Sequence, residues 1–137
     1  MIAVVIIGLL AALAIPAFKR VRTNAQISAF ANDLRIGRDG FDTFAFENGY
    51  WPPDGAAGVP AIVAGYIDVD KFNGPTPLGG NWDWDRGQFG YTAGLSVYSP
   101  VADLAMMRQV DLQIDDGNLA TGNFRARTQG YIYVLEF

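Results

Sequence analysis

The 137-residue chain has no cysteine and no histidine. The first absence excludes a disulfide staple and any thiolate nucleophile or metal ligand. The second removes the commonest general base and the commonest transition-metal ligand. Any catalysis would therefore run on carboxylates, hydroxyls, lysine or arginine. Cations are scarce too, ten against fourteen acids, for a net charge of −4. A nucleic-acid binder needs a basic surface to displace counterions, and this composition does not supply one. There is no Asn-x-Ser/Thr glycosylation sequon. Length allows one domain.

What is present is a long apolar opening, MIAVVIIGLLAALAIPAFKRVR. Residues 1–18 contain no Asp, Glu, Lys, Arg, Asn or Gln, and Lys19, Arg20 and Arg22 follow at once. As a helix this run is about 27 Å long, close to the roughly 30 Å hydrocarbon core of a bilayer. Cations at its end suit the interface of such a span. No basic residue precedes the run, and Pro-Ala-Phe-Lys-Arg stands where a small-residue cleavage pattern would follow. A retained hydrophobic helix therefore fits better than a cleaved signal. Gly8 and Pro16 sit awkwardly in it. An interior proline costs a helix about 3 kcal/mol and a glycine about 1 kcal/mol.

Helical periodicity continues past the cations. A 4-3-4-3 spacing picks out Thr23, Ile27, Phe30, Leu34, Gly37, Phe41 and Phe44, while Arg22, Asn24, Gln26, Asn32, Asp33, Arg35, Arg38 and Asp39 fall off that line. The spacing predicts an amphipathic helix over residues 23–48, with Ile27, Phe30, Leu34, Phe41 and Phe44 packing on a globular domain. Asn48-Gly49 suits a left-handed cap, and Pro52-Pro53 forbids continuation. With residues 1–22 it makes one helix of roughly 48 residues and about 70 Å. On periodicity alone, a simple membrane anchor with a stalk helix fits equally well.

Residues 49–80 read as a Gly/Pro-rich loop with one helical turn near residues 59–65. Residues 81–137 then change period. Asn81-Trp82-Asp83-Trp84-Asp85 alternates as a half-buried strand, and Tyr91, Ala93, Leu95 and Val97 alternate as a second. Ser99-Pro100 offers a cap and a first helical proline for a short helix carrying Leu104, Met107, Val110 and Ile114 on one face, ending at Asp116-Gly117. Residues 123–128 and 131–136 read as two further strands. The predicted fold class is α+β: a long N-terminal helix, apolar then amphipathic, packed on a small antiparallel sheet.

Two motifs carry candidate chemistry. Asp111, Asp115, Asp116 and Asn118 cluster around a glycine. Such a set can hold Ca²⁺, a hard cation that takes about six to eight oxygens, although the spacing is not that of an EF-hand loop. The same residues also suit a helix C-terminus and its turn. Trp82-Asp83-Trp84-Asp85 pairs carboxylates beside aromatic rings, as sugar hydrolysis would require. A half-buried strand with a solvated acidic edge explains it more simply, and the expected role is not enzymatic.

IIGLLAALAIPAF, followed by a basic and polar helix, strongly resembles the N-terminal segment of type IV pilins and of type II secretion pseudopilins. Gly8, Pro16, the Ala/Leu run between them and the Ala-Phe after the proline carry the match, over roughly the first 20 residues. The resemblance implies the pilin-like fold and a structural subunit of a helical pilus or pseudopilus, serving adhesion or secretion. It implies residence in the inner membrane before assembly, then a cell-surface or periplasmic filament. The implied partners are copies of the chain, a prepilin peptidase and an assembly ATPase with its membrane platform. Gly8, Leu9, Leu10, Ala14, Pro16 and Phe18 would lie in the filament core, with residues 8–16 losing helicity there. Lys19, Arg20 and Arg22 would meet acids such as Asp33 or Asp39 of a neighbouring subunit. The family pattern also implies a leader and a Phe ahead of Met1, and a glutamate two residues before it. That carboxylate would meet a neighbour's terminal amine, because a lone ammonium in an apolar core is costly. The alternative reading is a membrane-anchored module binding calcium or carbohydrate through residues 82–85 and 111–118.

Overall fold

Alanine and leucine dominate residues 9–14, and both are strong helix formers. In the computed structural model, which describes residues 2–137, they belong to a single helix, α1 (Ile2–Asn48), that runs unbroken through Gly8 and Pro16. The extension expected between Gly8 and Pro16 is thus not a property of the isolated chain. The helix stops where a left-handed residue is cheapest. Gly49 has φ 78°, and its N–H donates to the Ala45 carbonyl at 2.8 Å. The Asn48 amide closes the Phe44 carbonyl at 2.9 Å.

The strands are β1 (Asn81–Arg86), β2 (Ala93–Tyr98), β3 (Phe124–Arg127) and β4 (Gly130–Glu136), all antiparallel, in the order β1-β2-β4-β3. The fold is α+β, as the patterning implies. Helix α3 (Leu104–Ile114) connects β2 to the outer strand β3 and packs on α1.

Two-residue periodicity gives the sheet two faces. Trp82, Trp84, Leu95, Val97, Phe124 and Tyr133 point at α1 and are buried. Ile27, Phe30, Leu34, Gly37, Phe41 and Phe44 are the facing residues of α1, with Ala31 and Gly40 beside them. Two ring stacks join the layers. Phe30 lies on Trp82 with centroids 4.9 Å apart, and Phe41 lies on Trp84 at 3.9 Å, nearly parallel in both cases. Each such pair adds about 0.5–1.5 kcal/mol beyond its buried area. The Trp84 indole N–H is satisfied by the Pro52 carbonyl at 3.0 Å, which ties the loop after α1 to the core. Gly37 lets the layers close up. A Cβ there would sit 2.5 Å from Leu95 Cδ2 and 2.8 Å from Phe72 Cε1.

Local details differ from the sequence reading. Ser99 has φ 49° and does not cap α3. Asp103 does, accepting from the Met106 N–H at 2.8 Å. The Ser99 N–H goes instead to the Gln129 carbonyl, and those of Val101 and Ala102 go to Leu78. These contacts hold residues 99–102 out of the helix. At its other end α3 stops at Ile114, capped by Asp115, before Asp116-Gly117. Leu104 is exposed, while Asp111 joins Met107 and Val110 on the buried face. Tyr91 precedes β2 and is not part of it. The loop over residues 49–80 holds a 3₁₀ turn at Ala61–Val63 and a short helix, α2 (Val69–Phe72), capped by Asp68.

This packing sets an expectation for two phenylalanines of α1. Phe41→Ala should cost about 3–5 kcal/mol. Phe46→Ala, at a residue 91% exposed, should cost under about 0.5 kcal/mol. Urea unfolding of the detergent-solubilised chain, followed by tryptophan fluorescence, measures both. Equal effects would contradict the layer arrangement.

Candidate functional site

Because the sheet covers α1 only from Ile27 onward, the N-terminal part of the helix stands clear of the domain. Every described residue up to Arg22 is exposed, including Gly8, Leu9, Leu10, Ala14, Pro16 and Phe18. Leu13 is 75% exposed and Phe18 70%. Soluble monomers rarely expose a contiguous apolar patch above a few hundred Å². The segment is long and apolar enough to cross a membrane, and none of its most apolar window is buried. It requires lipid or protein around it. Lys19, Arg20 and Arg22 form an exposed basic collar between this run and the domain.

The acids expected to meet that collar are differently placed. Asp33 is buried and pairs within its own chain, its Oδ1 lying 2.6 Å from Lys71 Nζ of α2. It is not free for a neighbour. Asp39 remains exposed on α1, bonded to Arg38 at 2.9 Å.

On the sheet face turned away from α1, Asp83 and Asp85 share one guanidinium. Arg127 Nη2 lies 3.4 Å from Asp83 Oδ2, and Nε lies 3.5 Å from Asp85 Oδ2. Nε also donates to Ser96 Oγ at 3.1 Å, and the Ser96 hydroxyl donates to Asp85. The Arg127 side chain is only 4% exposed, with the Phe89 ring 4.5 Å from its Cζ. Burial pushes the Asp83 carboxyl up to about 6, the charge of Asp85 adds to this, and Arg127 offsets part of it. Burial also raises Asp85, against the Ser96 hydroxyl and Arg127. Trp82 and Trp84 face the opposite way, already stacked in the core. They offer no platform to a sugar beside these acids. The i, i+2 spacing of the two aspartates was readable; their partner Arg127, 44 residues from Asp83, was not.

The second acidic group sits where α3 hands the chain to β3. One oxygen each from Asp111, Asp115 and Asp116 lies within 4.8 Å of the others. Asp115 Oδ2 accepts from the N–H of Phe124, the first residue of β3, at 2.9 Å and from that of Asn123 just before it. Asp116 Oδ1 accepts from the Asn118 N–H at 2.8 Å, and Oδ2 from the Thr121 hydroxyl at 2.6 Å. Those two bonds, the hydroxyl first, hold Asp116 below the usual carboxylate range. Asn118 Oδ1 is engaged by the Ala120 N–H at 3.1 Å. Asp111 differs from all of these. It is wholly buried, and neither carboxylate oxygen makes a well-formed hydrogen bond. Burial raises it to about 6, the charges of Asp116 and Asp115 add to the effect, and the Gly117 N–H offsets part of it.

Comparison with known proteins finds no family model, no curated protein and no solved structure similar to this chain.

The raised Asp83 fixes a sign. A folded-state value of about 6 against an ordinary 3.8 means the folded chain binds this proton more tightly than the unfolded chain. Ionised Asp83 therefore destabilises, so its contribution makes stability fall as pH rises from about 4 to about 6. Asp83→Asn should flatten that slope in thermal unfolding followed across pH in calcium-free buffer. An unchanged slope would contradict the burial of this carboxylate.

Proposed function

We propose that this chain is the structural subunit of a helical pilus or pseudopilus filament, assembled through the N-terminal part of α1. The observation that carries the reading is the division of one continuous helix. Its second half is fixed on the sheet by the Phe–Trp stacks, and its first part projects as an all-round apolar rod. Lipid satisfies such a rod, and so do copies of the same rod packed side by side. Leaving the inner membrane for a filament exchanges one burial for another, with no large apolar surface left in water.

The resemblance of residues 6–18 to the pilin and pseudopilin segment supports the same reading. Under it the chain is held in the inner membrane, processed by a prepilin peptidase and added to the fibre by an ATPase-driven platform. The finished filament lies in the periplasm or at the cell surface. Gly8, Leu9, Leu10, Ala14, Pro16 and Phe18 form its core. Pro16, which lacks an N–H for the Ala12 carbonyl, is where the helix opens most readily on transfer. The role is structural, with no catalytic group.

Leu10→Lys tests this. A charge in a filament core is uncompensated, whereas one lysine at the centre of a membrane span costs about 2.5–3.5 kcal/mol on insertion scales, which the remaining apolar residues offset. Electron microscopy of sheared surface or periplasmic material should show fibres containing the wild-type chain and none from the variant, which should remain in the membrane fraction. Fibres of normal yield from the variant would contradict the proposal, as would wild-type chain found only as membrane monomer.

A further inference from the structure

Residues 74–80 and 99–102, Gly-Pro-Thr-Pro-Leu-Gly-Gly and Ser-Pro-Val-Ala, carry no charged side chain. They form two tight loops that are bonded to each other. The Leu78 carbonyl accepts from the Val101 N–H at 3.0 Å and from the Ala102 N–H at 3.2 Å. Within the first loop the Thr76 N–H donates to the Gly80 carbonyl at 3.0 Å. The Thr76 hydroxyl donates to the Gly79 carbonyl at 2.6 Å and accepts from the Leu78 N–H at 3.1 Å. Gly79 takes φ 78° and lies against Val101, where a Cβ would sit 2.5 Å from Cγ2. The pair is therefore rigid, and many of its backbone polar groups are satisfied internally. A loop with that property leaves water at low cost. Val101 itself is 87% exposed, more than any other described valine, leucine or isoleucine, those of the bare rod included.

Both loops share a groove with Gln26 of α1. Gln26 follows Arg22 by one helical turn, about 6 Å, so this is the side of the domain next to the basic collar and the apolar rod. We infer that the face formed by the two loops, led by Val101, is a seat for the lipid surface: while residues 2–18 span the bilayer, it lies in the headgroup layer, a placement that rests on the membrane residence proposed above. That layer adds about 5–7 Å on each side of the hydrocarbon core. The usual helix tilt of about 20° lowers one side of the domain toward it. Lys19, Arg20 and Arg22 hold α1 at the same level through lipid phosphates. Asp103, the acid at the edge of the groove, is engaged by its cap bond to the Met106 N–H. A stable protein interface buries about 800 Å² per partner, more than two short loops supply. An interfacial contact needs only a few apolar side chains continuous with a span. The seat fixes the tilt of the domain on the bilayer and is given up when the chain leaves it.

Because the chain lacks cysteine, Phe18→Cys, Val101→Cys and Phe46→Cys can each carry a single NBD dye. All three residues are exposed, so the labels leave the core intact. The full chain is reconstituted at low protein-to-lipid ratio in vesicles of phosphatidylethanolamine and phosphatidylglycerol. A fraction of the lipid carries a nitroxide just below the headgroup. The nitroxide should quench the dyes at positions 18 and 101 by on the order of twofold and leave that at 46 unchanged, while aqueous iodide should do the reverse. Quenching at 18 without quenching at 101 overturns the seat and leaves the span standing. No quenching at 18 overturns the span and the seat with it. Shielding at 101 that develops only as the protein-to-lipid ratio rises assigns the face to a second copy, and this too overturns the inference.

Discussion

Two ring stacks, Phe30 on Trp82 and Phe41 on Trp84, determine where everything else in this protein goes. They are eleven residues apart on α1 and two apart on β1, so they fix both the position and the direction of the helix on the sheet. With that direction set, the apolar residues before Lys19 have no domain to lie against. Projection of the N-terminal rod is therefore a consequence of the packing farther up the helix. Gly37 serves the same contact from the helix side, by removing a side chain that would hold the layers apart, and Gly40 does so for the loop at Tyr66 and Ile67.

The large features were legible because each repeats. A stripe at 4-3-4-3 spacing reports one buried helix face over several turns, and aromatic-polar alternation reports one buried strand face. Each supports its reading several times over. Features set by a single distant contact could not be read. Ser99-Pro100 and Asp103 are both acceptable helix starts by local rules. The choice is made by the Gln129 and Leu78 carbonyls, which claim the amides of residues 99, 101 and 102. Asp33 reads as an exposed off-stripe acid until Lys71, 38 residues away, is brought over it. Arg127 is likewise an ordinary strand residue until the sheet order sets it beside two aspartates. Helix α2 has a cap in Asp68, but a four-residue helix carries no period to detect.

Charge in this chain is distributed by the same logic. Most acids are solvated or paired, and two clusters hold a carboxyl raised by burial, Asp83 in one and Asp111 in the other. On the outer face, one guanidinium serves Asp83 and Asp85, leaving a raised carboxyl but a closed network of bonds. At the end of α3, no lysine or arginine among the described residues forms an ion pair with Asp111, Asp115 or Asp116, and Arg125 acts on Asp116 through its charge alone.

The central claim is that the bare part of α1 is satisfied by copies of itself. The chain lacks cysteine, so cysteines introduced in pairs, one at positions 6–10 and one at positions 13–21, report only their own contacts. A head-to-tail helical assembly places different residues of the rod opposite one another and propagates without closing. Oxidation in intact cells should then give a ladder of dimers, trimers and larger species that collapses on reduction. Monomer alone, or a ladder that stops at dimer for every pair, would contradict the account.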